Sequence, residues 1–395
     1  MSIPNNYTHV GEHHRDATHL TRRTLFSTLI PGAILTSDAF PQNTVSMAER
    51  FRKMSADYER KGLADPFKGI TANGTVESGF FGIHSTGVST AAVRTAAERF
   101  LASLSQQQRN RTMFAIDDLE WRKWMNQHFY VRQGVSFQEM TGSQRDAAFG
   151  LLEAALSARG LKLTRDIMRL NETLAELTND HEFLGEWRYF ITVMGKPSAT
   201  EPWGFQLDGH HAIVNYFVLR DQVVMTPFFV GSEPVTATAG KYKGISILQD
   251  EQNRGLDMLL ALDKDRRAKA ILNPNKKDNY NLTEAFKDNV VIDYTGARMD
   301  DGHARVKMDE LKRQIDRTYF AWIGGSDSAS VYYYCIHSPV ILIEFDHQRP
   351  ANLARFARNP KVPMRQHIHC VVRTPNGNDY GNDLLRQHYQ SHAHA

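Results

Sequence analysis

His367 and His369 stand two apart in the run HIHCVVRTPNGNDYG, and an earlier step, Gly209-His210-His211, brings two more imidazoles. Side chains two apart on a β-strand project from the same face. A strand over residues 364–373 would turn Arg365, His367, His369, Val371 and Arg373 one way and Met364, Ile368, Cys370 and Val372 the other. One face of such a strand is core; the opposite face is imidazole and guanidinium. Two parallel imidazoles on a rigid strand form a chelate that needs a third ligand, and histidine-rich sets of this kind suit zinc, copper and iron. The pair therefore predicts a transition-metal centre.

The Gly-His-His step is the expected source of the third ligand. Neighbours on a strand face opposite sides, so at most one of His210 and His211 joins the pair unless the backbone bulges. If residues 203–217 run as one strand, Gln206, Asp208 and His210 share the polar face, which favours His210 and leaves His211 as the alternative. Glu344, at the end of the apolar run VILIEFDH, is a carboxylate whose burial as a bare charge would be expensive. It is a candidate fourth ligand, hydrogen-bond support for a ligand imidazole, or general base, against the alternative of an ion pair with Arg365 or Arg373. Those two arginines, beside a metal, could hold a substrate carboxylate in two-point contact.

These residues need elements to position them. Apolar residues at helical spacing, such as Val93, Ala97, Phe100, Leu101 and Leu104, make residues 45–182 mainly helical, with a capping box at Thr141 and Gln144 and a stop at Gly160. The Gly- and Thr-rich stretch 64–88 reads as a loop that wraps the surface or reaches over a pocket. Asp117 and Asp118 begin a further helix carrying Trp121 and Trp124 into the core, and Asp379 caps a last helix near Leu384. From about 183 the period changes to two: a strand around Tyr189–Val193, a hairpin turning at Arg220-Asp221, a helical insertion strongest at 254–272 and 306–318, then strands near 319–324, 331–346 (broken at Pro339) and 364–373. The expected fold class is α+β, a helical N-terminal part followed by a largely antiparallel sheet with a helical insertion. Residues 183–395 carry the site, either as a separate domain or packed into one with 45–182; residues 1–44 form a leader or extended segment.

Composition narrows the function. The 395 residues are 41% hydrophobic, enough for a sizeable core. Forty-seven basic against 44 acidic residues give a formal charge of +3, which lacks the basic footprint of a nucleic-acid binder. Small molecules are the expected partners. No stretch approaches the ~20 apolar residues of a membrane helix. Cys335 and Cys370 each lie in an apolar run and read as buried thiols, compatible with the cytoplasm. Arg22-Arg23 ahead of a short apolar run broken by Pro31 and Gly32 offers the alternative of twin-arginine export. No His-Glu-x-x-His, Gly-x-Ser-x-Gly, phosphate-cradling loop or dinucleotide fingerprint occurs, which argues against the commonest zinc proteases, serine hydrolases and nucleotide enzymes.

The segments GKPSATEPWGFQLDGHH (195–211), ILIEFD (341–346) and HIHCVVRTPNGNDYG (367–381), with DDLEWRKW and VRQGVSFQEMT, resemble domain-of-unknown-function family 3500 over about 45–390. The resemblance implies that the Trp203–His211 segment, Glu344 and the His367–Gly381 segment belong to one pattern; it brings no reaction with it.

The expected function is a mononuclear metal site of His367, His369 and His210 or His211, acting on a small anionic substrate. A His-rich site without a hydrolytic motif leans towards an iron- or copper-dependent oxidoreductase. The alternatives are a zinc-dependent hydrolase with Glu344 as base, and a metal-free binding protein whose His and Arg side chains grip an anionic ligand.

Overall fold

In the computed structural model, residues 46–280, 289–292, 297–298 and 312–391 are described. The candidate leader and the second half of the expected helical insertion, up to residue 311, lie outside them. The described residues belong to one compact unit. None of the helices among the described residues is long and apolar enough to cross a membrane.

The sheet is built from eight longer strands: β1 Tyr189–Gly195, β2 Trp203–Gly209, β3 Ala212–Leu219, β4 Phe228–Ser232, β5 Tyr319–Gly324, β6 Tyr332–His337, β7 Leu342–His347 and β8 Ile368–Arg373. Each of β1 to β4 pairs antiparallel with the next, and so do β5 to β8, giving two four-stranded meanders. The last strand of each meander pairs with the last strand of the other, β4 with β8, again antiparallel. This seam turns two local units into one continuous sheet, thirteen-stranded among the described residues when its short strands are included. Short segments from the helical half, Met113–Phe114 and Val135–Ser136, pair with β1 and tie that half to the sheet.

The helices are α1 Met47–Gly62, α2 Ala91–Ser103, α3 Gly142–Ala155, α4 Ala158–Thr178, α5 Gln249–Ala261 and α6 Asn382–Ser391, with shorter turns between. One face of the sheet packs on α2 to α5: Phe100, Leu151, Leu152, Ile167 and Leu259 meet Phe205, Val214, Val230, Phe345 and Cys370. The opposite face, expected to be polar around the histidines, is also covered. Trp121, Trp124, Tyr130, Tyr380 and Leu384 pack there against Ile213, Phe217, Phe229 and Val371. With both faces buried, strand alternation sorts residues between two cores rather than between core and water.

The α+β architecture with an antiparallel sheet agrees with the sequence, as do the capping box of α3 and the buried, unpaired Cys335 and Cys370. Three local expectations are corrected. α3 ends at Leu156 with the chain turning extended, and Gly160 lies inside α4, whose cap is Ser157. Leu119–Arg122 forms a single 3-10 turn capped by Asp118, although Trp121 and Trp124 are core as expected. Asp379 does not cap α6. It accepts from Arg373 Nε at 2.6 Å and from the Thr374 backbone N–H at 2.7 Å, and both charged side chains are fully buried.

That ion pair pins the end of β8. Removing one partner strands a charge without solvent, which costs about 3–5 kcal/mol. Asp379→Ala should lower the unfolding free energy by that order in urea denaturation; a loss under ~1 kcal/mol would show that the pair is dispensable.

Candidate metal centre

The residues 203–217 are two strands, not one. Gly209 pairs with Ala212, so His210 and His211 are the two central residues of a tight hairpin turn. His211 has φ 65°, a left-handed conformation that few non-glycine residues adopt. The turn is held from three sides. Tyr189 Oη donates to the His210 carbonyl at 2.8 Å, the Gly231 N–H donates to the His211 carbonyl at 2.8 Å, and the His211 N–H reaches the Asn126 carbonyl. Gly209 is needed because the Tyr189 ring crosses where its Cβ would be, at 2.1 Å.

In a turn the alternation rule lapses, and the two imidazoles stack at 3.9 Å between centroids instead of diverging. His211 is the one that meets the pair. His367 Nε2 lies 3.4 Å from His211 Nε2 and 3.0 Å from His369 Nε2, and all three rings are buried at 5% exposure or less. His210, favoured from sequence, is directed elsewhere. Its Nδ1–H donates to Asn171 Oδ1 at 2.8 Å, while Asn171 Nδ2 donates to the Gly185 carbonyl, which fixes the amide's orientation. His128 stands edge-on to it at 5.6 Å.

His367 and His369 converge although β8 begins only at Ile368. His367 Nδ1–H donates to the Arg349 carbonyl at 2.7 Å, with Glu233 Oε1 at 3.9 Å, so its Nε2 lone pair points into the cluster. Glu233 itself is occupied by the backbone N–H groups of Ala351, Asn352 and Leu353. Burial pushes the pKa values of His211 and His369 well below that of a free imidazole, and the neighbouring imidazoles push the same way; His367 is also lowered by burial. Three neutral imidazoles are what a divalent transition metal needs. Nitrogens bound at about 2.0–2.1 Å in a tetrahedral site stand about 3.3 Å apart, and the two separations from His367 Nε2, 3.4 and 3.0 Å, lie on either side of that value.

The other expected residues are placed outside the cluster. Glu344 is buried on the histidine face of β7, but its register partner is Val371, and Oε1 accepts the Tyr333 hydroxyl at 2.7 Å. The acid opposite His369 is Asp346, which is closed by Lys276 at 2.6 Å, the Tyr280 N–H and Gln348. Arg365 precedes β8 and donates to the Ser330 carbonyl. Arg373 is committed to Asp379. Neither arginine stands at the cluster to grip a substrate, because one belongs to a loop and the other is consumed by an ion pair.

Sequence reasoning missed Gly231. It lies opposite His369 across the seam, and a Cβ there would sit 2.7 Å from the Ile368 carbonyl, 2.9 Å from His369 Cδ2 and 3.2 Å from His211 Cδ2. Only a hydrogen leaves room for both rings. Asn171 and the Arg349 carbonyl were missed too; they lie far off in sequence, and no spacing marks them.

A family model described as Protein of unknown function (DUF3500) matches residues 86–301 and 297–382. The chain belongs to that family. The matched DUF3500 region contains every histidine of the cluster, together with Gly231 and Asn171. No curated protein and no solved structure matches the chain.

Gly231→Ala should weaken metal binding by roughly 10- to 100-fold in competition titration, the size expected when a ligand's support is disturbed; unchanged affinity would deny the glycine this role. A second prediction concerns pH. His347, buried with Nδ1 accepting the Tyr332 N–H and Nε2 bonded to Gln252, has its pKa lowered to about 3, chiefly by burial and then by the charge of Arg365. The unfolded chain takes up that proton near 6.5 and the folded chain refuses it. Between about pH 6.5 and 3 the unfolded state therefore binds more protons, and stability falls by at most about 1.4 kcal/mol per pH unit for each such histidine. The fall in urea midpoint between pH 7 and 4.5 should be smaller in His347→Gln than in the parent protein; an equal fall in both would contradict the buried neutral state.

Proposed function

We propose that the chain is a metal-dependent enzyme whose mononuclear centre is held by His211, His367 and His369, acting on a small-molecule substrate. The observation that supports this most is that the buried Nε2 of His367 lies 3.4 Å from that of His211 and 3.0 Å from that of His369, near the spacing of two nitrogens on one ion. Three protein ligands leave a fourth position, the pattern of catalytic rather than structural sites. The group of nearby metal-ligating side chains is all imidazole among the described residues. An ion held by neutral ligands keeps its full charge and supplies Lewis-acid activation of water or of a substrate oxygen.

The protein's own part is orientation. The Arg349 carbonyl fixes the tautomer of His367, the turn fixes the ring of His211, and a core packs on either side of the seam. An all-imidazole donor set suits zinc or copper better than iron of the two-histidine, one-carboxylate type. We therefore favour zinc-type water activation and keep copper-dependent oxidation as the second reading, which the same donor set supports. Glu344 is not the base of this reading, since it accepts the Tyr333 hydroxyl. We place the enzyme in the cytoplasm, a setting that the unpaired Cys335 and Cys370 permit.

Elemental analysis of protein purified without an affinity tag tests the reading. One equivalent of a single transition metal is expected per chain, lost in His367→Ala, His369→Ala and His211→Ala and kept in His210→Ala. Zinc would favour water activation and copper oxidation. Metal-free protein that gains no metal on reconstitution would overturn the proposal.

A further inference from the structure

A cavity of about 620 Å³ lies at the other end of the seam, where Phe228 of β4 pairs with Val372 of β8, under the strap 80–84. The expectation that the Gly- and Thr-rich stretch reaches over a pocket is met there. A smaller pocket of about 250 Å³ is chemically more specific, because His210 forms part of its wall.

Helix α1 closes one side of this pocket with Ala48 and Phe51. The helix is tied down beside it: the Val131 N–H donates to Ser55 Oγ at 3.1 Å, and Tyr130 Oη donates to Glu59 at 2.8 Å. The apolar lining is mostly aromatic. Phe51 meets Phe183 edge-on at 4.7 Å between centroids and Phe129 at 5.6 Å, and Phe190 lines the pocket with them. Such a volume admits one ring and little more, since a cavity of roughly 150 Å³ already holds benzene. Aromatic walls of this kind favour an aromatic occupant through edge-to-face and offset contacts.

His210 supplies the polar point. It is 5% exposed, and its Nδ1–H is spent on Asn171 Oδ1 at 2.8 Å. Nε2 meets no donor among the described residues, yet it is not sealed into the core, and the pocket that His210 lines is the space it faces. Burial keeps the ring neutral, so Nε2 presents a lone pair. A purely apolar ligand would leave that acceptor without a partner, at a cost that an O–H donor avoids. A carboxylate would oppose the lone pair with its own. An ammonium group would meet the guanidinium groups of Arg52, Arg132 and Arg188, with no carboxylate in the lining among the described residues.

We propose that this pocket binds a one-ring phenol, its ring enclosed by Phe51, Phe129, Phe183 and Phe190 and its hydroxyl donating to His210 Nε2. His210 stacks on His211 at 3.9 Å, so the phenol lies one imidazole away from the histidine centre. The site stands whether or not that centre holds a metal. Its function is recognition, with no covalent step.

Calorimetric titration of the full-length protein with phenol, anisole and benzoate tests the proposal. Anisole keeps the ring and is the more apolar, so burial alone would favour it; the hydroxyl contact reverses that order. Saturable binding of one phenol per chain is expected, with anisole and benzoate each weaker by roughly tenfold or more. His210→Phe keeps a stacked ring and removes the acceptor, and should bring phenol down to the level of anisole while metal content stays as in the parent protein. Ala48→Trp fills the pocket from α1 and should abolish saturable binding of phenol. Absence of saturable phenol binding, or phenol binding untouched by Ala48→Trp, would overturn the site. Anisole or benzoate binding as tightly as phenol would overturn the assignment of a phenol. Should His210→Phe fail to fold, the ligand series and Ala48→Trp decide.

Discussion

The antiparallel pairing of β4 with β8 is the interaction on which the rest of the molecule depends. Without it there are two four-stranded meanders; with it there is one sheet, and Gly231 stands opposite His369. The seam is formed by chain segments more than a hundred residues apart, so it is established only when the whole unit folds. Its backbone hydrogen bonds are protected on both sides by apolar side chains, which makes local opening costly. The cluster is therefore placed by strand register, with His211 in the β2–β3 turn and His367 just ahead of β8.

Register explains why the cluster is tight. β8 brings His367 and His369, the β2–β3 turn brings His211, and β4 runs between them with the single residue small enough to let the rings meet. The strain of His211 in the left-handed region is held by the Tyr189 hydroxyl and by the bond from Gly231, which is thus both spacer and anchor. A little over 10 Å of strand away, the same seam floors the cavity between Phe228 and Val372. One pairing thus supports two unlike places, the buried histidine cluster and a cavity lined by both apolar and polar side chains.

Much of this was legible in the sequence, for reasons that also show where legibility ends. His367 and His369 were readable because period two is a property of any extended strand, and the pair converges even though β8 starts one residue after His367. The choice between His210 and His211 was not, because alternation was applied across a turn; Gly-His-His lacks the Asn-Gly or Asp-Gly signature of a two-residue hairpin, and only the long-range contacts of Tyr189, Asn126 and Gly231 hold it there. Arg365, Arg373 and Glu344 share the face of the histidines in the strand pattern. Facing the same way as a histidine does not place a side chain at it when Ser330, Asp379 or Tyr333 takes the charge first. The helices of the first half followed from apolar spacing and capping boxes, whereas the burial of both sheet faces did not, since aromatic cover from 121–130 and 380–384 arrives from elsewhere in the chain.

A crystal structure of untagged protein, with anomalous scattering recorded at the zinc and copper edges, tests the central claim most directly. The account predicts one anomalous peak bonded to Nε2 of His211, His367 and His369 at about 2.0–2.1 Å, with His210 still bonded to Asn171. A cluster that stays without a peak in metal-reconstituted crystals, or a peak held by other side chains, would contradict it.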